Sequence, residues 1–168
     1  MCIRDSFQGN RTPYTDSKAR GIMWGLSLSH TPLHVYHAIM EAVAFGTAFN
    51  FKKMEDAGFK FDQVTVCGGA TKSPLWMQMH ADVSGKPLVK TEVGDAVVLG
   101  TCILAAVGSG QYANIQEAAA NMVHETERIE PDPETHEEYQ FYLQKYMESY
   151  PAMQELTHEL VDHVAAGE

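Results

Sequence analysis

The stretch VTVCGGATKSPLW, residues 64–76, constrains the fold more than any other part of the chain. Val64 and Val66 alternate with polar neighbours, the period of a strand, so Val64–Cys67 is expected as a buried strand, and two bare glycines follow. Ser73 and Pro74 then supply a helix start: a side-chain cap, followed by a residue whose φ is already set for the first helical turn. A chain that passes from strand to helix within so few residues is building an α/β layer.

The same signal recurs along the chain. Thr31 and Pro32 open a helix in which Tyr36, Ile39, Met40, Val43 and Ala44 repeat at helical spacing, ending near Gly58. Before it, Ile22 to Leu28 reads as a short strand, and "KPLVKT" predicts another. Asp95 starts a further helix through Val107, where Gly100, Ala105 and Ala106 permit close packing. Strands alternating with helices predict a sheet that is part parallel. After Tyr112 the pattern predicts only helices: 115–124, 133–149 and a last one after Pro151. Tyr139, Tyr142, Leu143, Tyr146 and Tyr150 recur every three or four residues, as a packing stripe does.

The first six residues, MCIRDS, fit neither strand nor helix logic and read as a leader foreign to the protein, which sets them outside the fold. The expected organisation is a leader over 1–6, an α/β portion over 7–112, and an acidic, all-helical segment of the same domain over 113–168. The chain would then be a fragment beginning at Phe7.

Composition excludes several classes. With 168 residues and 45% hydrophobic content the chain can bury a core. No apolar run approaches the length of a membrane span, and nothing in residues 1–30 resembles a signal peptide. Cys2, Cys67 and Cys102 form neither a disulfide framework nor a paired zinc motif. Cys67 and Cys102 stand among apolar residues and are expected as small core side chains in a reducing cytoplasm. Residues 1–116 carry 10 basic and 9 acidic side chains, whereas residues 117–168 carry 2 basic and 13 acidic. The acidic end disfavours nucleic acid and anionic membranes, and the near-neutral remainder has no basic footprint. The plain reading of that end is a solvated helix face.

Gly68 and Gly69 lack a Cβ, so the backbone there can approach a ligand closely or take positive φ. Ligands of open α/β sheets bind beyond the carboxyl ends of the strands, where this loop falls. The helix after it presents free amides and a positive dipole end. These features favour a nucleotide with its phosphates nearby; the competing reading is a tight turn with no ligand. Neither familiar phosphate motif is present: "GGATKS" lacks the glycine directly before Lys72 that a Walker A loop needs, and GxGxxG is absent.

The stretch GIMWGLSLSHTPLHVYHAIME resembles the C-terminal signature of the FGGY family of carbohydrate kinases. It agrees at Gly21, Met23, Gly25 and Leu26 and, after a fixed gap, at His34, Val35, Ala38, Ile39, Met40 and Glu41. CGGATKSPLWMQMHADVSGKPL is similar to the family's adenosine-binding segment, and DAVVLGTCILAAVGSG to the helix after it. "GNRTP", Gly9 to Pro13, looks most like ribulokinases, with xylulose kinases next.

The resemblance implies part of an actin-like, ribonuclease-H-like ATPase domain. It also implies a kinase moving the γ-phosphoryl of ATP, with Mg²⁺, to a sugar hydroxyl, a pentulose such as ribulose or xylulose being the expected substrate. Gly68, Gly69, Ala70 and Ser73 become the nucleotide residues, with Gly69 against the nucleotide and Ser73 at the adenine. The catalytic aspartate and the sugar domain would lie upstream. None of Asp16, Asp62, Asp82 or Asp95 matches the aspartate's motif, so no catalytic residue is assigned and the fragment alone is expected to be inactive. The expected partners are sugar and ATP, with no nucleic acid or membrane, and a homodimer is compatible with the family. The rival from another class is a non-catalytic assembly module whose acidic helical end docks a partner.

Three other groups carry chemistry-bearing side chains. His30, His34 and His37 have metal-like spacing, but His30 precedes the cap and His34 fills a polar slot of the signature, so no metal site is assigned. Arg11 and Arg20 are expected to brace their own loop, and Lys72 to be solvated.

Overall fold

A computed structural model describes residues 1–167. The chain runs β1 (Cys2–Arg4), β2 (Ile22–Trp24), α1 (Pro32–Asp56), β3 (Val64–Val66), a short 3-10 turn (Gly69–Lys72) and α2 (Pro74–Ser84). It continues through β4 (Leu88–Thr91), α3 (Ala96–Gly108), α4 (Ile115–Met122), β5 (Glu125–Ile129) and α5 (Pro133–Ala166). Both predicted helix starts are found. Thr31 caps α1, its amide donating to His34 Nδ1 (3.0 Å), and Ser73 caps α2.

The main sheet has the order β3-β4-β5, with β3 and β4 parallel and β5 antiparallel to β4. β3 is an edge strand. α2 lies on this sheet, where Met77 and Ala81 meet Leu88 and Ile129, with Val64 and Val66 at the margin. The larger core lies among α1, α2 and α5: Ala38, Phe45 and Ala48 of α1, Met79 and Val83 of α2, and Leu143 and Tyr146 of α5. The tyrosine stripe of α5 is packing, as expected, with Phe45 edge-on to Tyr139. α3 packs chiefly on α4, forming a hairpin beside the rest.

α2 ends at Gly85, which is left-handed (φ +66°) and donates its amide to Ala81 O (2.8 Å). The His136 ring of α5 stands directly against this glycine. His136 Nδ1 bonds Asp82 O (2.7 Å). The buried Asp82 carboxylate accepts from Gln78 Nε2 and from the Asp132 amide, both at 2.8 Å. The end of α2 therefore seats the start of α5.

Four expectations need correction. Residues 1–6 do not stand outside the fold: Cys2–Arg4 pairs antiparallel with Ile22–Trp24, and Ile3 and Arg4 are buried. Strand pairing uses backbone groups, which any non-proline sequence supplies. The 113–168 segment is not all helical, because Glu125–Ile129 forms β5; its pairing with β4, reinforced by Lys90 Nζ–Glu127 Oε2 (2.8 Å), overrides a charge-rich sequence. Pro151 does not divide α5, which runs through it. Cys67 and Cys102 are exposed rather than core, and β3 is only half-buried: Cys67 follows an edge strand, and Cys102 is on the sparsely covered α3.

Asp16 fastens the loop before β2 to α5. Its Oδ2 accepts from Tyr150 Oη and pairs with His158 Nε2, both at 2.7 Å, and its Oδ1 accepts the Lys18 amide at 2.8 Å. Burial alone would raise this carboxyl, but the hydrogen bonds outweigh it and hold the pKa at about 2, below the ordinary 3.8. A carboxyl depressed in the folded state contributes stability above its unfolded pKa and loses it as pH falls through the folded one. Asp16→Asn should therefore lower the urea midpoint at neutral pH, with the gap to the parent chain closing as pH falls from 3.8 towards 2. A gap that stays constant over that window would show that the carboxylate charge is not what matters.

Candidate functional site

β3 and β4 run parallel in the register Val64↔Leu88, so their carboxyl ends emerge on the same side of the sheet. Two loops leave from there, one through Gly68 and Gly69 into α2, the other through Gly94 into α3. The Gly68 amide donates to Gly94 O (2.9 Å) and joins them. Gly68 has φ +88°, a conformation that side chains disfavour, so the first glycine is required by the turn itself. The Thr71 hydroxyl and amide both donate to Gly68 O, at 2.8 and 3.2 Å, bracing the loop from within.

Gly69 differs. It is not at positive φ, it begins the 3-10 turn, and a Cβ built on it would meet nothing within 4 Å. Its smallness is therefore not required by protein packing. Ser73 Oγ accepts from the Trp76 amide (3.3 Å) and so serves the helix as its cap. Ser73→Ala is expected to destabilise the chain by about 1 kcal/mol, and Ser73→Asp to retain most of that stability; thermal melts of the two variants check this. On the neighbouring loop Asp95 Oδ1 caps α3 by accepting from the Val98 amide (3.1 Å). Two helix N-termini thus begin beyond the ends of adjacent parallel strands, a setting suited to an anion or a nucleotide.

A cavity of about 330 Å³ lies beside the loop. Ala70 is the one expected site residue that lines it; Gly68, Gly69 and Ser73 do not. Cys67, Thr71, Phe51 of α1 and His80 of α2 complete much of its wall. Sequence reading missed these four. Phe51 and His80 lie on two different helices, and only their packing brings them to the loop. Burial lowers the His80 pKa and favours the neutral ring.

The other candidates resolve locally. His30 and His34 accept backbone amides on Nδ1, from Ser27 and Thr31, both at 3.0 Å. His37 Nδ1 pairs with Glu41 (3.2 Å). Arg20 braces its own loop through Ser17 O (2.9 Å) and Ala19 O (2.8 Å). Lys72 is exposed.

These elements belong to the C-terminal part of an actin-like, ribonuclease-H-like ATPase fold. The chain superposes on the crystal structure of xylulose kinase from Rhodospirillum rubrum with a TM-score of 0.79 and 29% identity, over 94% of this chain and 31% of that one. The chain belongs to the FGGY family of carbohydrate kinases: the family model for the C-terminal domain matches residues 1–109. It is 40% identical over 119 residues to the human FGGY carbohydrate kinase domain-containing protein, covering 69% of this chain and 22% of the relative. It is 36% identical over 145 residues to ribulokinase from Mycolicibacterium smegmatis, covering 86% and 26%. The chain thus spans less than a third of the length of these relatives.

Proposed function

We propose that the chain is the nucleotide-binding C-terminal portion of a cytoplasmic sugar kinase that transfers the γ-phosphoryl of ATP to a hydroxyl of a pentulose. The observation that carries this reading is the loop joined by Gly68 and Gly94 at the carboxyl ends of β3 and β4, within the segment the family model matches. Relatives named ribulokinase and xylulose kinase support a pentulose.

In this reading the nucleotide lies over Gly69, where no side chain intrudes, with Gly68 shaping the turn and Ala70 and Ser73 alongside. The start of α2 favours negative charge through its free amides and dipole. Phosphoryl transfer depends mostly on positioning and charge neutralisation, and Mg²⁺ supplies the latter on the phosphates. Mg²⁺ would be held chiefly by the nucleotide phosphates and water, as is usual for this ion in phosphoryl-transfer sites. The base that accepts the sugar proton would come from a preceding segment.

The test is a coupled ADP-release assay with D-ribulose, L-ribulose and D-xylulose. The expected result is turnover by a polypeptide of the relatives' length that carries this segment, and none by the present chain. Turnover by the chain alone would overturn the fragment reading, and a native-length polypeptide that phosphorylates none of the three would overturn the pentulose assignment.

A further inference from the structure

The second half of α5 carries an apolar stripe that the fold leaves open. Leu156, Leu160 and Val164 recur four residues apart and are 58%, 60% and 54% exposed. The other side of the helix is fixed to the body: His158 and Val161 are half-buried, His158 pairs with Asp16, and Lys18 Nζ pairs with Asp162 (2.6 Å). Single exposed aliphatics need no explanation, but three in register on an anchored helix form a seam of the kind that receives another helix.

Charge narrows the occupant. From Pro151 to Gly167 there are three carboxylates, Glu155, Glu159 and Asp162, and no lysine or arginine. Asp162 is matched by Lys18, whereas Glu155 and Glu159 make no ion pair among the described residues. Each immediately precedes a stripe leucine, so at about 100° per residue both lie along the same side of the seam. A second copy would oppose these carboxylates with identical ones. An incoming helix with lysine or arginine beside its apolar face would neutralise them.

We propose that this seam docks a basic amphipathic helix of a partner protein, with its apolar face on Leu156, Leu160 and Val164 and its cations along Glu155 and Glu159. The assignment does not depend on which sugar the family member phosphorylates.

The test uses the full chain and fluorescently labelled synthetic peptides, followed by anisotropy at low and high salt. The first peptide is an amphipathic leucine–lysine helix of about five turns, the second has the same pattern with glutamate for lysine, and the third is a scrambled leucine–lysine sequence of identical composition. Saturable binding of the first peptide alone, weakened by salt, is expected. Both Leu156→Ser/Leu160→Ser and Glu155→Lys/Glu159→Lys should weaken it by about tenfold or more, equivalent to ~1.4 kcal/mol. These positions are exposed, so unchanged thermal melts would confirm that folding is intact. Equal binding of the scrambled peptide would reduce the effect to net charge and overturn the proposal, as would binding indifferent to both double variants, or no binding at all. A dimer in sedimentation velocity that Leu156→Ser/Leu160→Ser abolishes, without peptide binding, would assign the seam to a second copy and overturn it too.

Discussion

Gly69→Val, placed in a native-length enzyme carrying this segment, is expected to raise KM for ATP roughly ten- to a hundredfold while KM for the sugar stays nearly unchanged. Gly69 is not at positive φ, and a Cβ there meets no atom within 4 Å, so a branched side chain enters space that the fold leaves empty. Stability should therefore shift by no more than about 0.5 kcal/mol, and any lost affinity can be attributed to the ligand. Gly68→Val provides the contrast. Its φ of +88° is disfavoured for a side chain, so that variant should lose at least about 1–2 kcal/mol of stability. ATP and sugar saturation curves, run beside melts of both variants, separate the two roles. If Gly69→Val melts normally and binds ATP as the parent does, the double glycine is a turn and the nucleotide lies elsewhere.

Gly85→Ala is expected to destabilise the chain at the α2–α5 joint by roughly 2–5 kcal/mol. About 1–2 kcal/mol comes from forcing a side chain into the left-handed region, and about 1–3 kcal/mol from overpacking. The new Cβ would lie 2.5 Å from His136 Cε1, and the ring cannot swing away freely because Nδ1 is held by Asp82 O. Urea midpoints for Gly85→Ala in the parent and in a His136→Ala background resolve the two parts. The penalty should fall by at least about 1 kcal/mol when the ring is gone. An equal penalty in both backgrounds would show that the ring makes no contribution.

The features legible in the sequence were the ones set locally. Thr31–Pro32 and Ser73–Pro74 mark helix starts because a cap and a preset φ act within one turn. The positive φ of Gly68 was foreshadowed for the same reason: only glycine takes it without strain. β5 was missed because Glu125–Ile129 has no apolar alternation and becomes a strand through pairing with a segment more than thirty residues earlier. The exposure of Cys67 and Cys102 depends on which elements cover β3 and α3, which no short window encodes. The candidate site divides in the same way. The loop residues 68–73 could be read directly, whereas Phe51 and His80 reach the cavity only after α1 and α2 have packed.

β3 closes one side of the main sheet with three residues, Val64 to Val66, and no strand lies beyond it among the described residues. An uncovered strand edge is a template for another backbone, and Thr65 offers neither a charge nor a proline to discourage pairing. Colloidal behaviour follows from this geometry. The brevity of the strand limits such pairing, and a lysine in place of Thr65 is expected to raise the solubility limit more than the same substitution on the solvated face of α5; equal limits in a precipitation titration would show that the edge does not pair.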